Sequence, residues 1–230
     1  MPATVISPPI QLWLDPVDRT AAEQMAMDEA LFRITEQEGI SFARFYRWHR
    51  PGFTFGYFDK ASCYVEGAVR RFTGGGLVEH GKDLTFLLTL PRTSKIFPEP
   101  AELRYRTIHD AIGRALHIAG LTVSRDSSSP TRATGPCFQN PVSEDLLDPA
   151  TGEKIGGGAQ RRTRQGIIHQ GSLRIPPPFH SLDSPWTAKF TDLLSGTTVP
   201  VFPEMMDRAE NEAATLSRNR YSSAAWNHKR

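Results

Sequence analysis

Lys154 heads the run Lys154-Ile155-Gly156-Gly157-Gly158-Ala159-Gln160, and a second glycine cluster, Gly74-Gly75-Gly76, follows the pair Arg70-Arg71. A lysine ammonium facing glycine-rich backbone can orient a carboxylate or thioester and steady a developing oxyanion. Successive glycines at a strand end leave backbone N–H groups uncovered, so a phosphate or carbonyl can come close. Arg70 and Arg71 could add charge-assisted hydrogen bonds to such an anion. The plain alternatives are a solvated lysine and a flexible turn. A ligand site is favoured by the recurrence of glycine clusters in one chain, because glycine in strands marks close approach of a ligand or another backbone. The spacing fits neither the phosphate loop nor the dinucleotide fingerprint.

Cys137 ends a polar loop and could carry an acyl group as a thiolate if a cation such as Lys154 lowered its pKa. Cys63 reads as a small buried hydrophobe, the usual fate of a free cysteine. His80 and His169 are further candidates, although a core or strand-edge histidine is the default for each. No Cys-x-x-Cys or His-Glu-x-x-His pattern occurs, so no structural zinc is expected. The absence of Gly-x-Ser-x-Gly leaves serine hydrolase chemistry unsupported.

The elements that must position these residues can be read from periodicity. Ile10 to Leu14 alternates and predicts a short edge strand. Asp18 or Thr20 can cap a helix over about Ala21 to Glu36, with Met27, Ala30, Leu31 and Ile34 on its apolar face and Gly39 as its stop. Strands are expected over Phe42 to Trp48, Phe53 to Tyr57 and Ala68 to Thr73, with Leu77 and Val78 resuming strand character that fails at Gly81. The apolar run Leu84 to Leu90 predicts a strand buried on both faces. Ile108, Ile112 and Leu116 mark a helix between Pro98 and Gly120. Ser124 to Pro136 reads as a long loop. Two short strands flank a turn at Asp148 to Gly152, the second carrying Lys154, and another covers Ile167 to Ile175. Pro176 to Pro178 then break the sheet, and the segment from about 180 is expected to be helical, over Ser184 to Leu194 and Pro203 to Arg218. Strands outnumber helices without regular alternation, which predicts an α+β domain rather than a doubly wound nucleotide fold.

The chain has 230 residues, of which 39% are hydrophobic and 23% charged. It is expected to fold as one globular domain over 1–230. Lysine and arginine exceed aspartate and glutamate by only two, which gives no reason to expect nucleic acid as a partner. Two cysteines cannot make a disulfide scaffold, no leader pattern is visible, and no stretch approaches the roughly 20 apolar residues of a membrane span. A reduced, cytoplasmic, membrane-free protein is the expectation.

Taken together, the segments resemble the lipoate–protein ligase A and octanoyltransferase family, which shares its fold with the catalytic domain of biotin protein ligases. Met27-Asp28-Glu29-Ala30-Leu31 looks like part of that family's first helix. Phe45-Tyr46-Arg47-Trp48 and Gly56-Tyr57-Phe58 look like its early strands. Arg70-Arg71 through His80 is similar to its Arg-Arg-x-x-Gly-Gly-Gly-x-Val-x-His signature, the most specific of these matches. Cys137-Phe138 with Pro141 resembles its cysteine segment, and Lys154-Ile155 with Gly157 to Gln160, then His169 to Ser172, resembles its lysine motif and the strand after it. Past about Pro178 the resemblance fades. Two departures stand out: Phe86-Leu87 lies where an aromatic followed by serine is usual, and Gly158 where serine is common.

The resemblance implies a central mixed, mostly antiparallel sheet flanked by helices. It implies that Lys154 contacts the acyl carbonyl, and that Arg70, Arg71, Gly74, Gly75, Gly76, Leu77, Val78, His80, Gly158, Ala159 and His169 surround the substrate. The leading expectation is octanoyl transfer from acyl carrier protein through a Cys137 acyl-enzyme, with Lys154 as acid/base, to a lysine of a lipoyl-domain protein of 2-oxoacid dehydrogenase or glycine cleavage type. Asp83-Leu84-Thr85 after His80 leans the same way. No tightly bound cofactor is expected. The alternative is an ATP-dependent lipoate–protein ligase using ATP and magnesium as substrates. The third reading, prompted by the two departures, is a non-catalytic binder of lipoyl domains or acyl groups.

Overall fold

The computed structural model describes residues 5–48, 50–60, 65–125 and 144–229. Strand β1 (Ile10–Asp15) leads to helix α1 (Ala21–Glu38), and β2 (Ser41–Arg47) and β3 (Gly52–Phe55) follow. Next come β4 (Val69–Arg70), β5 (Val78–His80), β6 (Leu84–Pro91), α2 (Ala101–Ile118), β7 (Ser124–Arg125) and β8 (Leu146–Leu147). The chain continues through β9 (Lys154–Arg162), β10 (Gly166–Leu173), α3 (Trp186–Ser195), β11 (Thr198–Pro200), α4 (Pro203–Leu216) and α5 (Ala224–Asn227). A π turn, Ser217–Tyr221, joins the last two helices.

Eight strands form the main sheet in the order β11-β1-β2-β6-β10-β9-β8-β7. The pairings β11 with β1 and β1 with β2 are parallel, and all others in this sheet are antiparallel. The fold is therefore the expected α+β arrangement of a mixed, mostly antiparallel sheet flanked by helices. Each face of the sheet carries its own core. On one face Phe45, Phe86 and Leu88 meet α2 and α3, with Phe45 edge-on to Trp186 at 5.3 Å. On the other, Phe42, Tyr46, Leu87 and Ile168 pack under α1 and α4. β6, in the middle, is buried at all eight positions, which is why its sequence is a nearly continuous apolar run, broken only by the buried Thr85 and Thr89.

Thr20 is the cap of α1: its hydroxyl accepts from Glu23 N while its own N donates to the Glu23 carboxylate at 2.8 Å. Gly39 closes the helix in the left-handed conformation at φ 74°. Buried side chains run from Gln24 to Thr35 along much of the helix, including Asp28 and Glu29 as well as the expected apolar face. The buried carboxylates are matched by cations. The fully buried Arg44 guanidinium donates to Asp28 and to Asp15, at 2.8 Å each, and to the Gln24 carbonyl. Glu29 accepts from Arg33, Arg220 and the Tyr221 hydroxyl, which ties α1 to the π turn.

Three expectations need correction. β1 is not an edge strand, because β11, within the segment read as purely helical, lies beside it. Three residues between Gly196 and Pro203 carry too little pattern to be read as a strand, and only the distant partner makes them one. The strand expected over Ala68 to Thr73 shortens to Val69–Arg70 and joins β3 and β5 in a separate three-stranded sheet, β4-β3-β5. The segment expected to be loop from Ser124 begins as β7, paired with β8. Of the two caps expected for the first helix, Thr20 is the one that forms. Among the described residues no helix is long and apolar enough to cross a membrane.

Candidate active site

A cavity opens between the main sheet and the three-stranded sheet. Lys154, Gly157, Gly158 and Ala159 of β9 and Gln170, Gly171 and Ser172 of β10 line one side. Thr54, Arg71, Gly75, Val78 and His80 line the other, and Met25, Tyr46 and Thr85 complete the wall. Lys154 and Gly75 thus border one space.

Lys154 is only 8% exposed, and its Nζ lies 2.7 Å from Asp145 Oδ2. The ammonium occupies room that a side chain at 157 would take. A Cβ on Gly157 would sit 2.9 Å from Lys154 Nζ and 2.7 Å from Asp145 Oδ1. Opposite, Gly75 is left-handed at φ 86°, and a Cβ there would reach Ala159 Cβ at 3.5 Å. Gly75 thus faces Ala159 across the cavity.

The two arginines do different work from that expected. Arg71 Nη2 donates to Gly74 O at 2.9 Å and Gly76 O at 2.8 Å, while Nη1 donates to Thr54 Oγ1 at 2.8 Å. It holds the glycine turn from inside and contributes to the cavity wall. Arg70 is not among the lining residues. Its guanidinium donates to Tyr57 O, Asp59 O, Trp226 O, Asn227 O and Lys229 O. It fastens the C-terminal segment to the turn after β3.

Thr73, just before the glycines, donates to Gln170 Oε1 at 2.7 Å, and Gln170 Nε2 donates to Asp28 Oδ2 at 2.7 Å. Tyr46 OH donates to the same Asp28 oxygen at 3.0 Å. The buried pair Arg44–Asp28 thus anchors one wall of the cavity through β10. His80 stacks on Trp48 with ring centroids 4.1 Å apart. Its Nδ1 lies 2.7 Å from Asp83 Oδ2 and its Nε2 2.8 Å from Thr54 Oγ1. Burial opposes a charge on Asp83, but hydrogen bonds from His80, Ser172 and Thr85 and the attraction of His80 outweigh it, lowering its pKa to about 2.

His169 lies behind the sheet. It is fully buried against Phe86, Tyr105 and His109 on the α2 side. Gln160 Nε2 donates to its Nδ1 at 2.9 Å, leaving its Nε2 to face His109 Nε2 at 3.4 Å. Burial pushes the pKa of both rings down, that of His169 far down, so both are neutral. A Cβ on Gly158 would lie 2.3 Å from His169 Nε2. The glycine at this position, where serine was the commoner residue of the resemblance, is therefore required by the histidine beneath it. Leu77 is half-buried and, like Gly74 and Gly76, is not among the lining residues. Cys137 and Cys63 lie outside the described residues. Sequence reasoning did not single out Met25, Tyr46, Thr54 or Asp145 for the site; Tyr46 and Thr54 occupy strand positions, and no local pattern tells which face looks onto a cavity.

A family model described as "Lipoyl protein ligase A/B catalytic domain" matches residues 20–192. The octanoyltransferase LipM of Oceanobacillus iheyensis is 31% identical over 175 residues, 71% of this chain and 63% of the relative, so the match spans less than two thirds of that protein. A lipoate-protein ligase A solved with ATP superposes with a TM-score of 0.72 at 20% identity, covering 96% of this chain and 98% of that one. The bi-partite lipoate protein ligase of Thermoplasma acidophilum, studied with its E2 lipoyl domain, gives a TM-score of 0.61 at 19% identity, with 97% and 96% covered. With the family model covering most of the chain, this protein belongs to the lipoyl protein ligase A/B catalytic domain family.

Proposed function

We propose that the protein transfers an octanoyl or lipoyl group to a specific lysine of a lipoyl-domain protein. The observation that carries the reading is the buried Lys154 ammonium facing the same cavity as Gly75 and Ala159. A desolvated cation beside a slot walled partly by Met25, Val78 and backbone glycines suits an acyl carbonyl with an aliphatic tail. Similarity to an octanoyltransferase supports the octanoyl group as cargo. In this reading Cys137 takes the acyl group from octanoyl-acyl carrier protein as a thioester. Lys154 polarises the carbonyl, and the acceptor amine displaces the thiolate. Neither step needs a bound cofactor. Acceptors of 2-oxoacid dehydrogenase or glycine cleavage type present the required lysine.

The test is incubation with octanoyl-acyl carrier protein, without acceptor, followed by intact mass measurement. A stable octanoyl adduct on the wild type, absent from Cys137→Ser, is the expected result. Full turnover by Cys137→Ser sinks the acyl-enzyme mechanism. The second reading is an ATP-dependent ligase, for which the Gly74–Gly76 turn held open by Arg71 is the favouring observation. Pyrophosphate release that depends on free lipoate and survives Cys137→Ser would select it.

A further inference from the structure

Thr54, His80 and Asp83 form a continuous hydroxyl–imidazole–carboxylate chain at the cavity that Lys154 also lines. Thr54 Oγ1 is 2.8 Å from His80 Nε2, and His80 Nδ1 is 2.7 Å from Asp83 Oδ2. All three are buried, and both Thr54 and His80 line the cavity. Asp83 also accepts from Thr85 at 2.9 Å, Ser172 at 2.5 Å and Gly81 N at 3.0 Å. A carboxylate so surrounded can only accept, which places a proton on His80 Nδ1; to take up a proton, the ring must offer its Nε2 lone pair to the Thr54 hydroxyl. Arg71 Nη1 occupies another lone pair of the same oxygen, so the Thr54 hydrogen has His80 as its partner. Trp48 stacking fixes the ring plane. The titratable and charged groups around the chain are Arg71 from the small sheet, Tyr46 from β2, and His180, which is near Asp83.

We infer that Thr54–His80–Asp83 is the proton acceptor for the incoming lysine of the acyl acceptor, an inference that rests on the proposed acyl transfer. The acceptor ε-ammonium must lose a proton before its nitrogen has a lone pair. Its N–H bond breaks as Thr54 Oγ1 takes the proton, and the former Thr54 hydrogen passes to His80 Nε2. The imidazolium is held by Asp83. The free amine then forms the amide bond to the acyl carbon as the bond to the leaving group breaks. The second nitrogen proton, lost as the amide forms, passes to that leaving group, and the first leaves the His80 imidazolium through Thr54 to solvent, so the chain ends as it began. Lys154 is thereby left to the carbonyl, and the two proton-bearing groups of the cavity have separate tasks.

The experiment separates the half-reactions in single turnover: acyl loading from octanoyl-acyl carrier protein, then transfer to a lipoyl domain or to hydroxylamine, an amine already neutral at pH 7. Measured on enzyme already loaded with the acyl group, His80→Gln and Thr54→Val are expected to transfer to the lipoyl domain roughly 100-fold more slowly. Transfer to hydroxylamine is expected to suffer far less than transfer to the lysine, and the lysine rate should climb as pH is raised. Thr54→Ser, which keeps the hydroxyl, should retain transfer. Equal losses with lysine and hydroxylamine, or wild-type lysine transfer by Thr54→Val, overturn the inference. If wild type loads from neither octanoyl-acyl carrier protein nor ATP with lipoate, the proposed function itself fails, a result distinct from either.

Discussion

At the scale of single residues, the site depends on side chains that are missing. Gly157 gives its space to the Lys154 ammonium and Asp145. Gly157→Ala should therefore push the ammonium off its position, with acyl transfer falling at least roughly tenfold while the thermal midpoint moves little, since misplacing a reacting group by about an ångström costs that much or more. A variant that transfers at the wild-type rate would show that Lys154 needs no fixed position. Gly158 is constrained from the other side of the sheet by His169. Gly158→Ser should cost about 2 kcal/mol in urea denaturation as an overpacked position. Combined with His169→Ala, which vacates that space, the loss should be less than the sum of the two single changes. Strict additivity would mean the two sites do not share space. Sequence reasoning found Lys154 and both glycine clusters, because their composition is unusual. It could not assign roles to neighbouring arginines. Arg70 and Arg71 are adjacent and identical in type, yet one grips a distant chain end and the other the turn three residues on.

At the scale of elements, legibility followed how local the cause was. α1, β6, α2 and the β9–β10 pair are legible because their own periodicity or apolar content decides them. β11 and the three-stranded sheet are not, since strands of two to four residues exist only through partners far along the chain. Arg70 shows how such short pieces are held. Its donors join the turn Gly56–Asp59 to residues 226–229, and the Trp226 indole returns a hydrogen bond to Arg70 O at 2.9 Å. A lysine has no planar fork with which to serve several carbonyls at once. Arg70→Lys should destabilise the protein by about 2 kcal/mol, with faster amide exchange in Tyr57–Asp59 and Trp226–Lys229 and little change in β6 or β10. Protection lost uniformly across the main sheet would show that Arg70 supports the global fold and not this junction.

For the whole molecule, buried titratable groups should write the fold's stability onto pH. His109 and His169 lie fully buried against one another, and burial holds both pKa values below the ordinary value of about 6.5. Below pH 6.5 the unfolded chain binds protons that the folded rings do not, so the unfolded state carries more protons and stability must rise with pH. The contribution is complete above about pH 7.5 and drains away as pH falls from 6.5 toward the depressed folded values. Two such rings give a limiting slope of about 2.7 kcal/mol per pH unit. Asp83 adds a later stage of the same sign: with a folded pKa of about 2 against an ordinary 3.8, its contribution of roughly 2 kcal/mol is present above pH 4 and lost toward pH 2. Urea midpoints measured from pH 8 to 5 should fall accordingly. His169→Phe should remove one proton from the slope and leave the neutral-pH stability comparatively unchanged. A wild-type midpoint flat between pH 7 and 5, or a slope indifferent to His169→Phe, would mean that these rings titrate in the folded protein as they do in the open chain, and that the α2 face of the sheet beneath Gly158 admits water.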